Sequence, residues 1–157
     1  MIYCDYQRVL RGHRVNSSPI IIIIPRQALA HRAKGRPKYK KSLAEQARSD
    51  ITVAPLTSAR LYSKVYYFHR DKRTVDTDNL SKPILDALQG IAYRDDSQVV
   101  LRTAAKIDLK VDTYELIQER IASNQYEKLI GLIASAPDVL YIEVGELASF
   151  RLSLGVI

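Results

Sequence analysis

The residues best suited to chemistry are Asp76-Thr77-Asp78-Asn79-Leu80-Ser81-Lys82, followed after Asp86 by Arg94-Asp95-Asp96-Ser97-Gln98. In extended backbone the side-chain period is two, so Asp76 and Asp78 project the same way and can present carboxylates to one point. Holding two like charges close is costly, and a divalent cation removes the cost. Hard oxygen donors with room for waters suit Mg²⁺, or Mn²⁺, rather than zinc. Asp95 or Asp96 is the natural third carboxylate. A helix over residues 80–89 advances about 15 Å, and the segment 90–94 can return a comparable distance at about 3.3 Å per residue. Convergence within one chain is feasible, and completion of the site across a dimer is the alternative.

Taken singly, these residues have plainer roles. Asp78 or Asn79 reads as a helix cap, Asp95-Asp96 as turn residues, and Lys82 as a solvated helix lysine. Beside paired carboxylates, Lys82 gains a second role as a phosphate contact. A calcium loop starting at Asp76 fails, because its sixth position is Ser81 rather than Gly and its twelfth is Ala87 rather than Glu. His13, His31 and His69 share no metal-ligand spacing, and the single Cys4 excludes thiolate cages and internal disulfides. No Walker loop, dinucleotide glycine fingerprint or G-x-S-x-G elbow occurs.

The net charge of +7 is concentrated at one end of the chain. Residues 1–50 carry 11 Lys and Arg against 3 Asp and Glu, whereas the other 107 carry 13 against 14. Arg26, Arg32, Lys34, Arg36, Lys38, Lys40 and Lys41 follow one another with no acidic residue between them. Such a segment can neutralise several phosphates and release their counterions, which points to a nucleic-acid partner and to steep salt dependence. A solvated basic loop that serves solubility alone is the plainer reading.

These groups need a scaffold, and 157 residues suffice for one domain with a real core, read as 1–157 with 1–18 as an irregular extension. The longest aliphatic run, Ile20 to Ile24, is too short for a membrane span or a signal h-region. The expected location is cytoplasmic, associated with the nucleoid. Ile20–Ile24 reads as a buried strand stopped by Pro25. Ser42-Leu43-Ala44-Glu45 has the capping-box spacing and predicts a helix from there to about Asp50. Arg60 to His69 predicts a strand with Leu61, Ser63, Val65 and Tyr67 on one face and Tyr62, Lys64, Tyr66 and Phe68 on the other. Leu80, Ile84, Leu85 and Leu88 form a helical stripe closed by Gly90. Pro83 belongs in a first turn and so predicts a helix start near Asn79 to Ser81. Ser97 to Leu109 and Val139 to Val144 read as strands. Asp112-Thr113-Tyr114-Glu115 repeats the cap signature and predicts a long helix carrying Leu116, Ile117, Ile121, Leu129 and Ile130. The class is α/β or α+β, a mixed sheet packed by helices.

The ordered set Asp76-x-Asp78-Asn79-x-x-Lys82, Asp86-Ala87-Leu88 and Asp95-Asp96-Ser97-Gln98-Val99 resembles the signature of the RusA family of Holliday junction resolvases. The resemblance covers residues 60–109 and, more loosely, 20–50. It implies a small α/β homodimer that hydrolyses phosphodiesters in branched, four-way DNA during recombination and repair. It further implies Asp76, Asp78 and Asp96 as magnesium-binding catalytic carboxylates, with Asp95 as the alternative, and Lys82 as the catalytic lysine. The sequence departs from the family pattern at Pro25-Arg26-Gln27-Ala28, where a segment rich in Pro and Asn is expected, and in a stretch before the Asp pair that is one residue short. A non-catalytic basic DNA-binding module is one rival reading. Another Mg²⁺-dependent nuclease or phosphohydrolase, acting on flaps, single strands or nucleotides, is the other.

Overall fold

A computed structural model describes residues 18–29, 35–71, 76–117, 121–147 and 149. Four strands, β1 (Ile20–Ile24), β2 (Leu61–His69), β3 (Val99–Asp108) and β4 (Asp138–Glu146), form one mixed sheet in the order β1-β4-β2-β3. β4 lies antiparallel to both β1 and β2, and β2 runs parallel to β3. Among the described residues, three α-helices pack on it: α1 (Arg36–Asp50), α2 (Thr77–Leu88) and α3 (Ser123–Ser135). The fold is α+β, as the alternation of elements predicts. Among the described residues, no helix is long and apolar enough to cross a membrane.

Alternation along the strands separates two cores. Ile22, Ile24, Leu61, Val65, Tyr67, Leu140, Ile142 and Val144 point to one face, where Leu43 and Ala47 of α1 and Leu80, Ile84, Leu85 and Leu88 of α2 cover them. Ile23, Phe68, Val139 and Tyr141 point to the other, under Leu129 and Ile133 of α3. Both faces of β2 are therefore covered, as its two-sided apolar pattern predicts. On the α3 face, Glu143 is buried and accepts hydrogen bonds from Tyr62 Oη at 2.7 Å, Lys64 Nζ at 2.9 Å and Tyr141 Oη at 2.6 Å. Burial works to raise its carboxyl pKa, but the Lys64 charge and these bonds outweigh it and hold the group below the ordinary value. Gly145 sits beneath the Tyr62 ring, where a Cβ would meet ring atoms at 2.7 Å.

The strand expected from Ser97 begins at Val99, after a 3-10 turn over Asp96–Gln98, and three expected helix starts move. α1 starts at Arg36, so Ser42 lies in the helix interior rather than at its cap. Pro37 is preset for the first turn and Gly35 precedes it at φ 88°, a pairing that opens the helix before the capping-box spacing is reached. α2 starts at Thr77, which leaves Pro83 inside it. The missing N–H at 83 costs one backbone bond, and burial of Leu80, Ile84, Leu85 and Leu88 offsets that loss. The helix expected from Asp112 forms only from Ser123. Residues 112–117 are irregular, yet Leu116 and Ile121 still pack on the α3 core, so their apolar spacing served burial without a helix. Of the expected irregular extension 1–18, residues 1–17 lie outside the described residues, as do Arg32 and Lys34.

Candidate active site

Asp76 is the residue immediately before α2, with extended φ and ψ, and its carboxylate is exposed. It occupies the cap position without making a capping hydrogen bond, so the plainest structural job for it is not being done. Asp78 lies in the first turn of the helix; its side chain is outside the description. Carboxylates at this end are favoured by the helix dipole, which offsets part of their mutual repulsion. Positions 78, 82 and 86 follow one another at four-residue spacing along one face.

Lys82 donates to Asp86 Oδ1 at 3.0 Å, one turn further on. The other oxygen of Asp86 receives Arg36 Nη2 at 2.6 Å and stands 3.6 Å from Lys40 Nζ, both on α1. Burial works to raise the Asp86 pKa, but hydrogen bonds from Lys82 and Arg36 and the charges of Lys82 and Lys40 prevail, and the group stays below the ordinary carboxylate value. In the sequence, Asp86 belongs to the family signature without a role of its own. Its four-residue offset from Lys82 was the available local signal, while its partners on α1, 50 positions away in the case of Arg36, left none.

Asp95 and Asp96 differ in their commitments. Asp95 caps a single 3-10 turn, Asp96–Gln98: its Oδ1 accepts from Ser97 N at 3.0 Å and from Ser97 Oγ at 2.5 Å. Gln98 answers by accepting from Asp95 N at 2.8 Å, which completes a capping box. These bonds from Ser97 hold the Asp95 carboxyl below its ordinary value. Gln98 also donates to Ser58 O at 2.7 Å and so fastens the turn to the chain ahead of β2. Asp96 is half-buried, and no hydrogen bond or ion pair engages its carboxylate among the described residues.

The topology sets where these groups stand. β2 and β3 are parallel, so α2 must run back along the sheet between them. Asp76 therefore belongs to the end of the sheet where β2 finishes, and Asp96 to the end where β3 starts, beside Leu61. The 12 residues of α2 separate the two ends by about 18 Å. The chain does not double back after the helix. Gly90, at φ 76°, turns it sharply, with Gly90 N donating to Tyr93 O at 2.7 Å, and Tyr93 Oη is fixed on Leu85 O at 2.5 Å. Gln89 then reaches Asp95 at 3.3 Å, at the carboxyl end of α2. Burial pushes the Tyr93 phenol pKa up, opposed by the charge of Arg102 and reinforced by those of Asp86, Asp96 and Asp95. Within one chain, then, Asp76 and Asp96 stand at opposite ends of α2. Among the described residues, no group of three His, Cys, Asp or Glu could hold a metal ion.

The basic segment is largely helical rather than a loop. Arg36, Lys38, Lys40 and Lys41 ride on the first half of α1, and Lys38 and Lys41 are exposed. Arg26 lies over the Tyr39 ring, 4.7 Å from its centroid, a cation–π contact. Burial, partly opposed by Arg26, has Tyr39 pushed up to about 12. Four cations and no acidic residue at the positive end of a helix are locally unfavourable, an arrangement that an anionic partner would relieve.

A model of the family described as Endodeoxyribonuclease RusA matches residues 25–114, more than half of the chain. The match takes in the basic helix, the Asp76–Lys82 segment and the Asp95–Gln98 turn, and stops short of α3 and β4. No curated protein matches the chain. With its acidic and basic segments inside the matched region, the chain belongs to the RusA endodeoxyribonuclease family.

Proposed function

We propose that the protein is a Mg²⁺-dependent endonuclease that resolves four-way DNA junctions in recombination and repair, acting as a two-fold homodimer whose metal sites are each completed by two chains. The observation that carries this reading is the Asp76 carboxylate at the amino end of α2, which makes no capping bond and, like Asp96 at the other end, has no hydrogen bond or ion pair among the described residues. Their donor type fits Mg²⁺ or Mn²⁺: hard oxygens not engaged elsewhere among the described residues. Asp76 and Asp78 of one chain would hold the ion with Asp96 of a second chain. Asp95 is the weaker candidate because its carboxylate is committed to the capping box. When bound, the ion supplies activation of a water and neutralisation of charge on the phosphodiester. Lys82 stabilises a non-bridging or leaving oxygen with the ammonium donors that Asp86 does not occupy.

Exposed Lys38 and Lys41, with Arg26, Arg36 and Lys40 behind them, contact the backbone and position the arms without reading bases. Arg32 and Lys34 extend the same run in sequence. A junction needs two incisions related by a two-fold axis, and an isologous dimer supplies two sites with that relation.

The test is a cleavage assay on synthetic junctions, linear duplex, flaps and free nucleotides, with Mg²⁺ or with EDTA. Paired cuts in junctions that require Mg²⁺ support the reading; binding without product at any metal concentration overturns it in favour of a non-catalytic module. Mixing Asp78→Asn chains with Asp96→Asn chains examines the dimer. If each site draws on two chains, a mixed dimer has one intact site and nicks a cruciform plasmid once. If each site lies within one chain, the mixture stays inactive.

A further inference from the structure

We infer that Asp86 is a positioning residue for the nuclease reaction, holding Lys82 in place and locking the DNA-gripping helix α1 to the helix that carries the active site. The inference rests on the proposed role of Lys82. Asp86 is the meeting point of two helices: one oxygen takes Lys82 of α2 at 3.0 Å, the other takes Arg36 at 2.6 Å with Lys40 at 3.6 Å, both from α1. The Asp86 side chain is 15 % exposed, while Lys82 keeps 44 % and Lys40 34 % of theirs. The carboxylate is covered and its cations reach past it to solvent.

One anion among three cations leaves a surplus of two positive charges. A carboxylate that served only to join α1 to α2 would be complete with Arg36 alone, because a guanidinium fork can satisfy it. Among the described residues, Lys82 and Lys40 add charge that no second carboxylate pairs with, and Arg36 Nε is buried without a hydrogen-bond partner. A lysine on a flexible four-carbon stem loses side-chain freedom when it is fixed. Asp86 fixes Lys82 from the apo state onward, leaving two of its three ammonium donors for a phosphate oxygen. Arg36 and Lys40, tied to the same carboxylate, keep the basic face of α1 in register with that lysine. Asp86 itself touches neither phosphate nor metal in this arrangement.

Asp86→Asn keeps the shape and removes the charge. The expected result is a 10- to 100-fold lower kcat on junctions, with KM and junction Kd unchanged or lower because a negative charge beside DNA is gone. Asp86→Glu, which keeps the charge, should recover at least part of the rate. In a Lys82→Met background, adding Asp86→Asn should lower kcat by less than 3-fold, because the group being positioned is already absent. Wild-type kcat for Asp86→Asn overturns the inference, as does an equal loss with and without Lys82. Loss of junction binding together with a lowered Tm in both Asp86 variants also overturns it, since Asp86 would then be a folding residue. Failure of the underlying reading looks different: Lys82→Met would cleave at the wild-type rate, or the wild-type protein would cut no junction in Mg²⁺.

Discussion

Asp86 and Glu143 are both carboxylates held below their ordinary pKa by donors gathered from distant parts of the chain, yet they belong to different kinds of structure. Around Glu143 the donors are one lysine and two neutral phenols, closed under a sheet face, and the charge balances at zero. Around Asp86 they are three cations from two helices at a half-open seam, and among the described residues positive charge is left over. A balanced buried node is complete in the folded chain. An unbalanced, partly open one has electrostatic work still to do, and its natural complement is an anion. The contrast teaches that the surplus, rather than the presence of an ion pair, separates a binding surface from a structural bond.

Substitutions can break or sharpen that contrast, since changes at the seam should alter activity and changes at the node should alter stability. The largest effect is expected for Asp78→Asn, a loss of cleavage of about 10³-fold or more, with junction binding retained or tightened; a quantitative cleavage time course beside a binding titration checks it. Loss of folding in circular dichroism would instead make Asp78 structural.

Next comes Glu143→Gln, expected to cost about 3 kcal/mol in denaturant unfolding because Lys64 is left without its counter-charge, while the folded protein cuts at the wild-type rate. Its pH dependence has a definite sign. The folded pKa of Glu143 is depressed, so the stability it contributes is present above the unfolded value of about 4.3 and is lost as pH falls through the folded value. The difference between wild type and Glu143→Gln should therefore be constant near neutrality and shrink below about pH 4.3. A gap that widens in acid would reverse the assignment.

A smaller change is expected for Gly145→Ala, where a methyl driven against the Tyr62 ring costs about 2 kcal/mol by overpacking; Tyr62→Phe in the same background tests whether the hydroxyl contributes to the clash. The smallest effect is on salt dependence. Replacing exposed Lys38 and Lys41 by Gln should leave Tm unchanged and reduce the slope of log K against log salt by about 2. An unchanged slope would remove the outer face of α1 from the DNA contact.

Much of the scaffold was legible locally. The isoleucine run, the two-sided pattern of residues 61–69 and the stripe Leu80-Ile84-Leu85-Leu88 each form the element that their periodicity predicts. Helix starts were less legible where two local signals competed. Gly35 and Pro37 prevailed over the spacing of Ser42 and Glu45, and buried leucines prevailed over the preference of Pro83 for a first turn. The candidate site was legible as a set of residue types and only partly as a geometry. The side chains of Asp95 and Asp96 are adjacent in sequence and chemically identical, and only the Ser97 and Gln98 contacts distinguish them.

The sequence by itself determined the donor types, the excess of positive charge ahead of residue 50, and the short-range periodicities, because each depends on residues within a few positions of one another. Tertiary structure decided which strands pair, that β2 and β3 run parallel, and that α2 holds Asp76 and Asp96 at opposite ends. It also brought Arg36 to Asp86 and Tyr62 to Glu143, across 50 and 81 positions. Such contacts follow from burying both faces of the sheet at once, a condition on the whole chain that no local stretch of sequence contains.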